Sequence, residues 1–259
     1  MTMNRINQLF QQKKNNILSI YFTAGHPTLD SAADIIKKLE KSGVEMIEIG
    51  MPFSDPLADG PVIQDSSSKA LKNGMSIKLL FEQLKNIREE VKIPLLLMGY
   101  INPVFQFGIE NFCKKCKETG IDGVILPDLP MDEYEQQYKK YFEENDLRFI
   151  FLITPQTSPE RVNMIDTVSS GFIYMVSSSS TTGAKGNIVE KQVDYFTRIK
   201  AMNLKNPLII GFGISNHETF THACHYANGA IIGSAFVKML DEAKNIGLEI
   251  KSFVSGIIS

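Results

Sequence analysis

Residues 45–61 read EMIEIGMPFSDPLADGP. The first six residues make a short apolar run, and the rest make a stiff turn carrying Pro52, Pro56 and Pro61. In an extended run, side chains alternate between two faces. Ile47 and Ile49 then share one face, while Met46 and Glu48 share the other. The amphipathic segment SIKLLFEQLKNIREEV (76–91) lies downstream and has helical periodicity. Strand, polar turn and helix together describe one βα unit.

The same unit recurs along the chain. Strands are expected at ILSIYFT (17–23), PLLLMGY (94–100), GVILPD (123–128) and RFIFLIT (148–154), and then at FIYMVS (172–177), PLIIGFG (207–213) and GAIIGS (229–234). Amphipathic segments such as SAADIIKKLEKSG and MDEYEQQYKKYFEEN separate them. Ser158-Pro159-Glu160 and Ser215-Asn216-His217-Glu218 read as helix starts, and Gly43 and Gly120 as helix stops. Repeated units of this spacing predict an α/β protein with a parallel sheet. An open, doubly wound sheet is the competing arrangement. Eight strands in 259 residues favour a closed (β/α)8 TIM barrel forming a single domain over residues 1–259. Residues 1–14 would add an extra N-terminal helix across the barrel bottom.

Composition narrows the function classes. A net charge of −2 offers no basic surface for nucleic acid or anionic membrane. No apolar run approaches the roughly 18 residues needed to span a bilayer. The first residues, MTMNRINQLFQQKKNN, lack a signal-peptide core, so a cytoplasmic location is expected. Three cysteines do not suggest a secreted disulfide framework. Cys113 and Cys116 form a C-x-x-C one turn into a helix ending at Gly120, whereas a redox pair normally opens its helix. They read as ordinary helix residues.

In a (β/α)8 barrel the chemistry sits at the C-terminal ends of the strands. Alternation places Glu48 inside the barrel near that end. Isolation among apolar side chains should raise its pKa and let it give and take a proton near neutrality. The structural alternative is a buried glutamate satisfied by Ser, Tyr or backbone donors. Asp55 and Asp59 lie in the following loop on the correct face, though both also suit a turn. Asp128 is another strand-end carboxylate. Tyr174 either turns its hydroxyl inward or fills core. Gly211-Phe212-Gly213-Ile214-Ser215, Gly233-Ser234-Ala235 and the loop SSSSTTGAKGN (177–187) follow the last three strands. Such loops, with a helix N-terminus, suit a phosphorylated small molecule. None of the eight expected strands contains lysine, so a barrel-lining Schiff-base lysine is unsupported. Histidines 26, 217, 222 and 225 are scattered, and neither a metal cluster nor a dinucleotide fingerprint stands out. No bound cofactor is expected, and the chemistry falls to carboxylates.

The opening stretch, together with YFTAGHPT (21–28), GYINPVFQFG (99–108), LPDLP (126–130), TTGAKG (181–186), GFGIS (211–215) and GSAFVK (233–238), resembles the tryptophan synthase alpha subunit family over essentially the whole chain. The resemblance implies a barrel lyase cleaving indole-3-glycerol phosphate to indole and glyceraldehyde 3-phosphate by retro-aldol chemistry, in tryptophan biosynthesis. It casts Glu48 as the proton-transferring group and Asp59 as the carboxylate that stabilises positive charge on the indole nitrogen. Tyr174 matches the tyrosine beside the catalytic carboxylate. Gly183, Gly213, Gly233 and Ser234 match phosphate-binding positions. Tyr21, Leu97, Tyr100 and Leu126 fall around the indole ring, with Tyr21 standing where phenylalanine is more familiar. Thr182 matches a closing-loop threonine that contacts the loop aspartate, and Ser180 stands where a glycine is usual.

A partner is implied as well: a pyridoxal-phosphate-dependent tryptophan synthase beta subunit in an α2β2 heterotetramer, facing segments 52–59 and 100–108. The pyridoxal phosphate belongs to that partner. The alternatives are another phosphate-binding barrel, of the indole-glycerol-phosphate synthase or phosphoribosyl isomerase type, and a non-catalytic activating subunit. The synthase would need barrel-lining lysines.

Overall fold

A computed structural model of the chain describes residues 3–177 and 185–259. Its strands are β1 (Ile17–Thr23), β2 (Met46–Gly50), β3 (Leu95–Met98), β4 (Gly123–Ile125), β5 (Arg148–Phe149), β6 (Phe151–Ile153), β7 (Ile173–Val176), β8 (Leu208–Gly211) and β9 (Gly229–Ile232). They pair in parallel in the order β5-β4-β3-β2-β1-β9-β8-β7-β6. The two ends of that order, β5 and β6, are consecutive pieces of one run. At the break between them, the Ile150 amide still donates to the Val124 carbonyl at 2.9 Å. The expected fifth strand is therefore divided in two, and the sheet rolls up instead of lying open.

Closure separates the apolar side chains into two clusters. Ile17, Tyr21, Met46, Leu96, Ile125, Ile150, Phe172, Tyr174, Ile209 and Ile231 fill the barrel interior. Their chain neighbours, among them Leu18, Ile20, Ile47, Ile49, Leu95, Leu97, Val124 and Ile173, pack outward against the helices. Each such side chain, fully buried, contributes about 1.5–3 kcal/mol of transfer free energy.

The α-helices are α1 (Arg5–Gln12), α2 (Ala32–Lys41), α3 (Pro61–Lys72), α4 (Ile77–Leu84), α5 (Ile101–Phe107), α6 (Ile109–Thr119), α7 (Met131–Glu133), α8 (Lys139–Glu144), α9 (Pro159–Val168), α10 (Lys185–Ala201), α11 (His217–Cys224), α12 (Ser234–Glu242) and α13 (Ile246–Ile258), with a π-helical stretch at Tyr134–Tyr138 joining α7 to α8. Ser158 caps α9, accepting from the Arg161 amide, with Pro159 in the first turn. At α11 the cap is Asn216, one residue beyond Ser215, in a reciprocal capping box with Thr219. Gly120 ends α6 in the left-handed region, at φ +76°.

α1 closes the barrel bottom. Ile6 and Phe10 enter the interior cluster, and the Phe10 ring lies 5.9 Å from that of Phe172. Polar contacts fasten this plug. Asn4 caps α1 and donates to the carbonyls of Asp122 and Asp146. The buried Asp122 carboxylate accepts from Arg5 at 2.9 Å, Arg88 at 2.5 Å and the Leu95 amide at 2.9 Å. Arg88 also donates to the Gly120 and Ile93 carbonyls. Removing one partner of such a buried pair strands the other charge, a loss of roughly 3–5 kcal/mol. Asp122→Ala is therefore expected to lower unfolding free energy by about that amount, measured by denaturant titration. A loss under about 1 kcal/mol, the value of an exposed pair, would contradict this account.

Candidate active site

A cavity of about 720 Å³ opens where the strands end. Its wall includes Tyr21 from β1, Met98 from β3, Tyr100, Leu152 from β6, Val176 from β7 and Phe212 after β8. The loop after β2 covers one side with Met51, Phe53, Leu57 and Asp59. The lining is mostly apolar and aromatic, suited to a flat hydrophobic group, with carboxylate chemistry at the edge.

Glu48 is fully buried in the barrel interior, beside Tyr21 of β1 and Leu96 of β3 in the sheet register. It does not form part of the open cavity wall; its neighbour Tyr21 does. Its Oε1 accepts from the Ser19 hydroxyl at 3.3 Å, and Oε2 has no hydrogen-bond partner among the described residues. Burial pushes the carboxyl pKa up to about 8, while the Ser19 bond acts in the opposite direction. The group is therefore mainly protonated at neutral pH and close enough to its titration point to exchange a proton.

Two tyrosines pack into spaces that glycine leaves open. A Cβ at Gly50 would collide with the Tyr21 hydroxyl, and one at Gly211 with the Tyr174 hydroxyl. Both phenols are buried, and desolvation raises the pKa of each above the ordinary tyrosine value. The charges of Glu48 and Asp59 push Tyr174 in the same direction. The Tyr21 hydroxyl lies 3.4 Å from Thr23 Oγ1, which in turn lies 2.7 Å from Ser66 Oγ. Ser66 donates to the Ile63 carbonyl in α3. A hydroxyl chain thus runs from the cavity wall into the helix that follows Asp59.

Asp59 has a different environment. It is partly exposed on the cavity wall, and its Oδ2 accepts from the Tyr100 hydroxyl at 2.9 Å. The same hydroxyl accepts from the Ala58 amide at 3.0 Å, and the Phe53 ring lies 5.2 Å from Tyr100. Desolvation raises the Asp59 pKa and the Tyr100 bond opposes that rise. Asp55 is exposed and accepts from Ser54 in the turn, away from the cavity wall. Asp128 accepts from the Ile101 amide at the start of α5, a structural task.

The glycine loops after β8 and β9 offer backbone donors. Phe212 and Gly213 are both left-handed, at φ +69° and +75°. For phenylalanine this is a strained conformation, and the Ser177 hydroxyl holds it by donating to the Phe212 carbonyl at 2.5 Å. Gly233 precedes α12 without a side-chain cap, and Ser234 is exposed at its first position. Uncapped first-turn amides form a ready anion site. Ser180, Thr182 and Gly183 lie outside the described residues.

Two expected ring contacts are displaced. Leu97 and Leu126 pack in the layer between strands and helices and do not line the cavity. The wall is made by their neighbours Met98, on the other face of β3, and Pro127, in the turn after β4. Ser19 and Thr23, which the alternation in ILSIYFT places on the parity of Tyr21, also face the interior and carry hydroxyls into the site. Cys113 and Cys116 are free and buried within α6, and desolvation pushes both thiols up, opposite to an activated thiolate. Among the described residues, no three or more His, Cys, Asp and Glu side chains gather as a metal site. None of the described helices is long and apolar enough to cross a membrane.

Comparison with known proteins agrees with this architecture. The family model for the tryptophan synthase alpha chain matches residues 6–253. The tryptophan synthase alpha chain of Flavobacterium psychrophilum is 63% identical over 255 residues, covering 98% of this chain and 100% of the relative. That of Bacteroides thetaiotaomicron is 60% identical, covering 94% and 95%. The crystal structure of tryptophan synthase subunit alpha from Legionella pneumophila superposes with a TM-score of 0.89 at 32% identity, covering 99% of this chain and 97% of that one. With the closed barrel and the carboxyl buried within it, these matches show that the chain belongs to the tryptophan synthase alpha chain family.

Proposed function

We propose that Glu48 and Asp59 divide the work of the family's lyase reaction, the cleavage of indole-3-glycerol phosphate to indole and glyceraldehyde 3-phosphate. The observation that carries the assignment is the complete burial of the Glu48 carboxyl with Oε2 unpartnered among the described residues, a setting that pushes its pKa up to about 8. Glu48 gives its proton to indole C3, and positive charge develops on the indole nitrogen. Asp59, held by Tyr100, stabilises that charge. The carboxylate left on Glu48 then takes the proton of the adjacent side-chain hydroxyl. As the C–O bond becomes the aldehyde C=O, the bond to C3 breaks and its electrons restore the neutral indole. The proton returns to Glu48, so the reaction is balanced without a net acid or base.

The apolar wall of Tyr21, Met98, Leu152 and Phe212 suits the indole ring. The loops at Gly213 and at Gly233-Ser234 suit the phosphate, with Thr182 and Gly183 assigned to the same end by resemblance. For the partner, the loop after β2 exposes Leu57 at 90%, and α5 exposes Phe105 at 42%. These apolar residues fit a face toward a beta subunit, the source of the pyridoxal phosphate, in an α2β2 assembly. The same reading assigns the pair to the cytoplasm.

Incubation with indole-3-glycerol phosphate, with and without a cognate beta subunit, should release indole. The chain contains no tryptophan, so its own fluorescence does not mask the product. No indole under either condition would reject the function.

Glu48→Gln should reduce turnover by about 10²–10⁴-fold with substrate binding retained. The same substitution should stabilise the fold in a pH-dependent way. A carboxyl with a raised folded-state pKa keeps its proton in the native chain while the unfolded chain releases it. The wild type therefore loses stability relative to Glu48→Gln between the ordinary carboxyl range and about pH 8, and the gap then levels. Denaturant titrations across that window should show the gap widening; a constant gap would contradict burial of an ionisable Glu48. Gly233→Asp should weaken substrate binding by placing negative charge at the α12 N-terminus, and unchanged affinity would move the phosphate elsewhere.

A further inference from the structure

Ser19 lies on β1 opposite Met46 of β2, while Tyr21, one pleat further along, lies opposite Glu48. Strand register therefore puts Ser19 on the barrel-floor side of the carboxyl. Ser19 is fully buried, and its hydroxyl donates to Oε1 of Glu48 at 3.3 Å. Oε2, equally buried, has no partner among the described residues. The two oxygens of one carboxyl are thus unequal: one is tied toward the floor and the other is left free. Neighbouring interior side chains at Met46, Leu96 and Tyr174 supply no competing hydrogen bond to either oxygen.

We propose that Ser19 is the positioning residue of this site, holding Oε1 of Glu48 so that Oε2 carries the proton to and from the substrate. The proposal rests on the lyase reading above and goes beyond it by separating the roles of the two oxygens. Proton transfer from one oxygen of a carboxyl requires the group to present that oxygen reproducibly, and a single donor on the other oxygen does this. The same donor favours the ionised form, so it offsets part of the rise that burial causes.

Ser19→Val and Ser19→Thr have nearly the same shape and differ in the hydroxyl, so the pair separates hydrogen bonding from volume. Infrared difference titration would follow the Glu48 carboxyl directly, its band identified by its loss in Glu48→Gln. The wild-type midpoint is expected near pH 8. It should rise by about half a unit to one unit in Ser19→Val, the scale of one long hydrogen bond to a carboxylate, and return in Ser19→Thr. The alkaline limb of kcat/KM should move in the same direction, with KM little changed and kcat lowered in Ser19→Val alone. Equal midpoints in the Val and Thr variants, or equal kcat, would overturn the proposal. If the midpoints separate while no variant releases indole, the hydrogen bond stands and the lyase reading fails; the role of Oε2 in turnover is then rejected with it.

Discussion

Because a closed barrel has an inside and an outside, each strand must send every second side chain into a space walled by the other strands. That space is filled mostly by apolar side chains, so a carboxyl placed there has few ways to keep a charge. Glu48 occupies such a position with one weak donor and, among the described residues, no cation beside it. Its proton affinity follows from this enclosure. The floor network around Asp122 and the plug of α1 matter to the chemistry for the same reason, since they close the lower end of the space.

The two carboxyls proposed for catalysis illustrate how environment separates roles. Glu48 is carried by a strand, where backbone pairing on both sides fixes its position. Asp59 is carried by a loop and depends on Tyr100 for its placement. The first suits proton exchange and the second a standing negative charge. Loops can vary in sequence and position more freely than strands, which leaves the Asp59 segment able to serve a partner-facing surface as well as the cavity.

Much of this was legible from the order of residues, for a definite reason. Alternation and the spacing of apolar runs report the barrel because every strand is shielded on both faces. The same alternation located Glu48 within it. The ring contacts were harder. Leu97 and Met98 are both apolar, as are Leu126 and Pro127, and only the register of β3 and the turn after β4 decide which one meets the cavity. The division of one run into β5 and β6 has no composition signal, since Phe149, Ile150 and Phe151 are equally apolar. Ser19 was obscured because a lone serine in an apolar strand reads as tolerance until its neighbour across the sheet is known to be an acid.

The fit of Tyr21 against Gly50 and of Tyr174 against Gly211 has an evolutionary consequence. In each pair, the small residue on one strand is a condition for the large one on the next. A methyl group at either glycine is tolerated only after the facing ring has shrunk or turned. Drift at these four positions is thus epistatic, and descendants should change them in pairs, along a narrow corridor of intermediates.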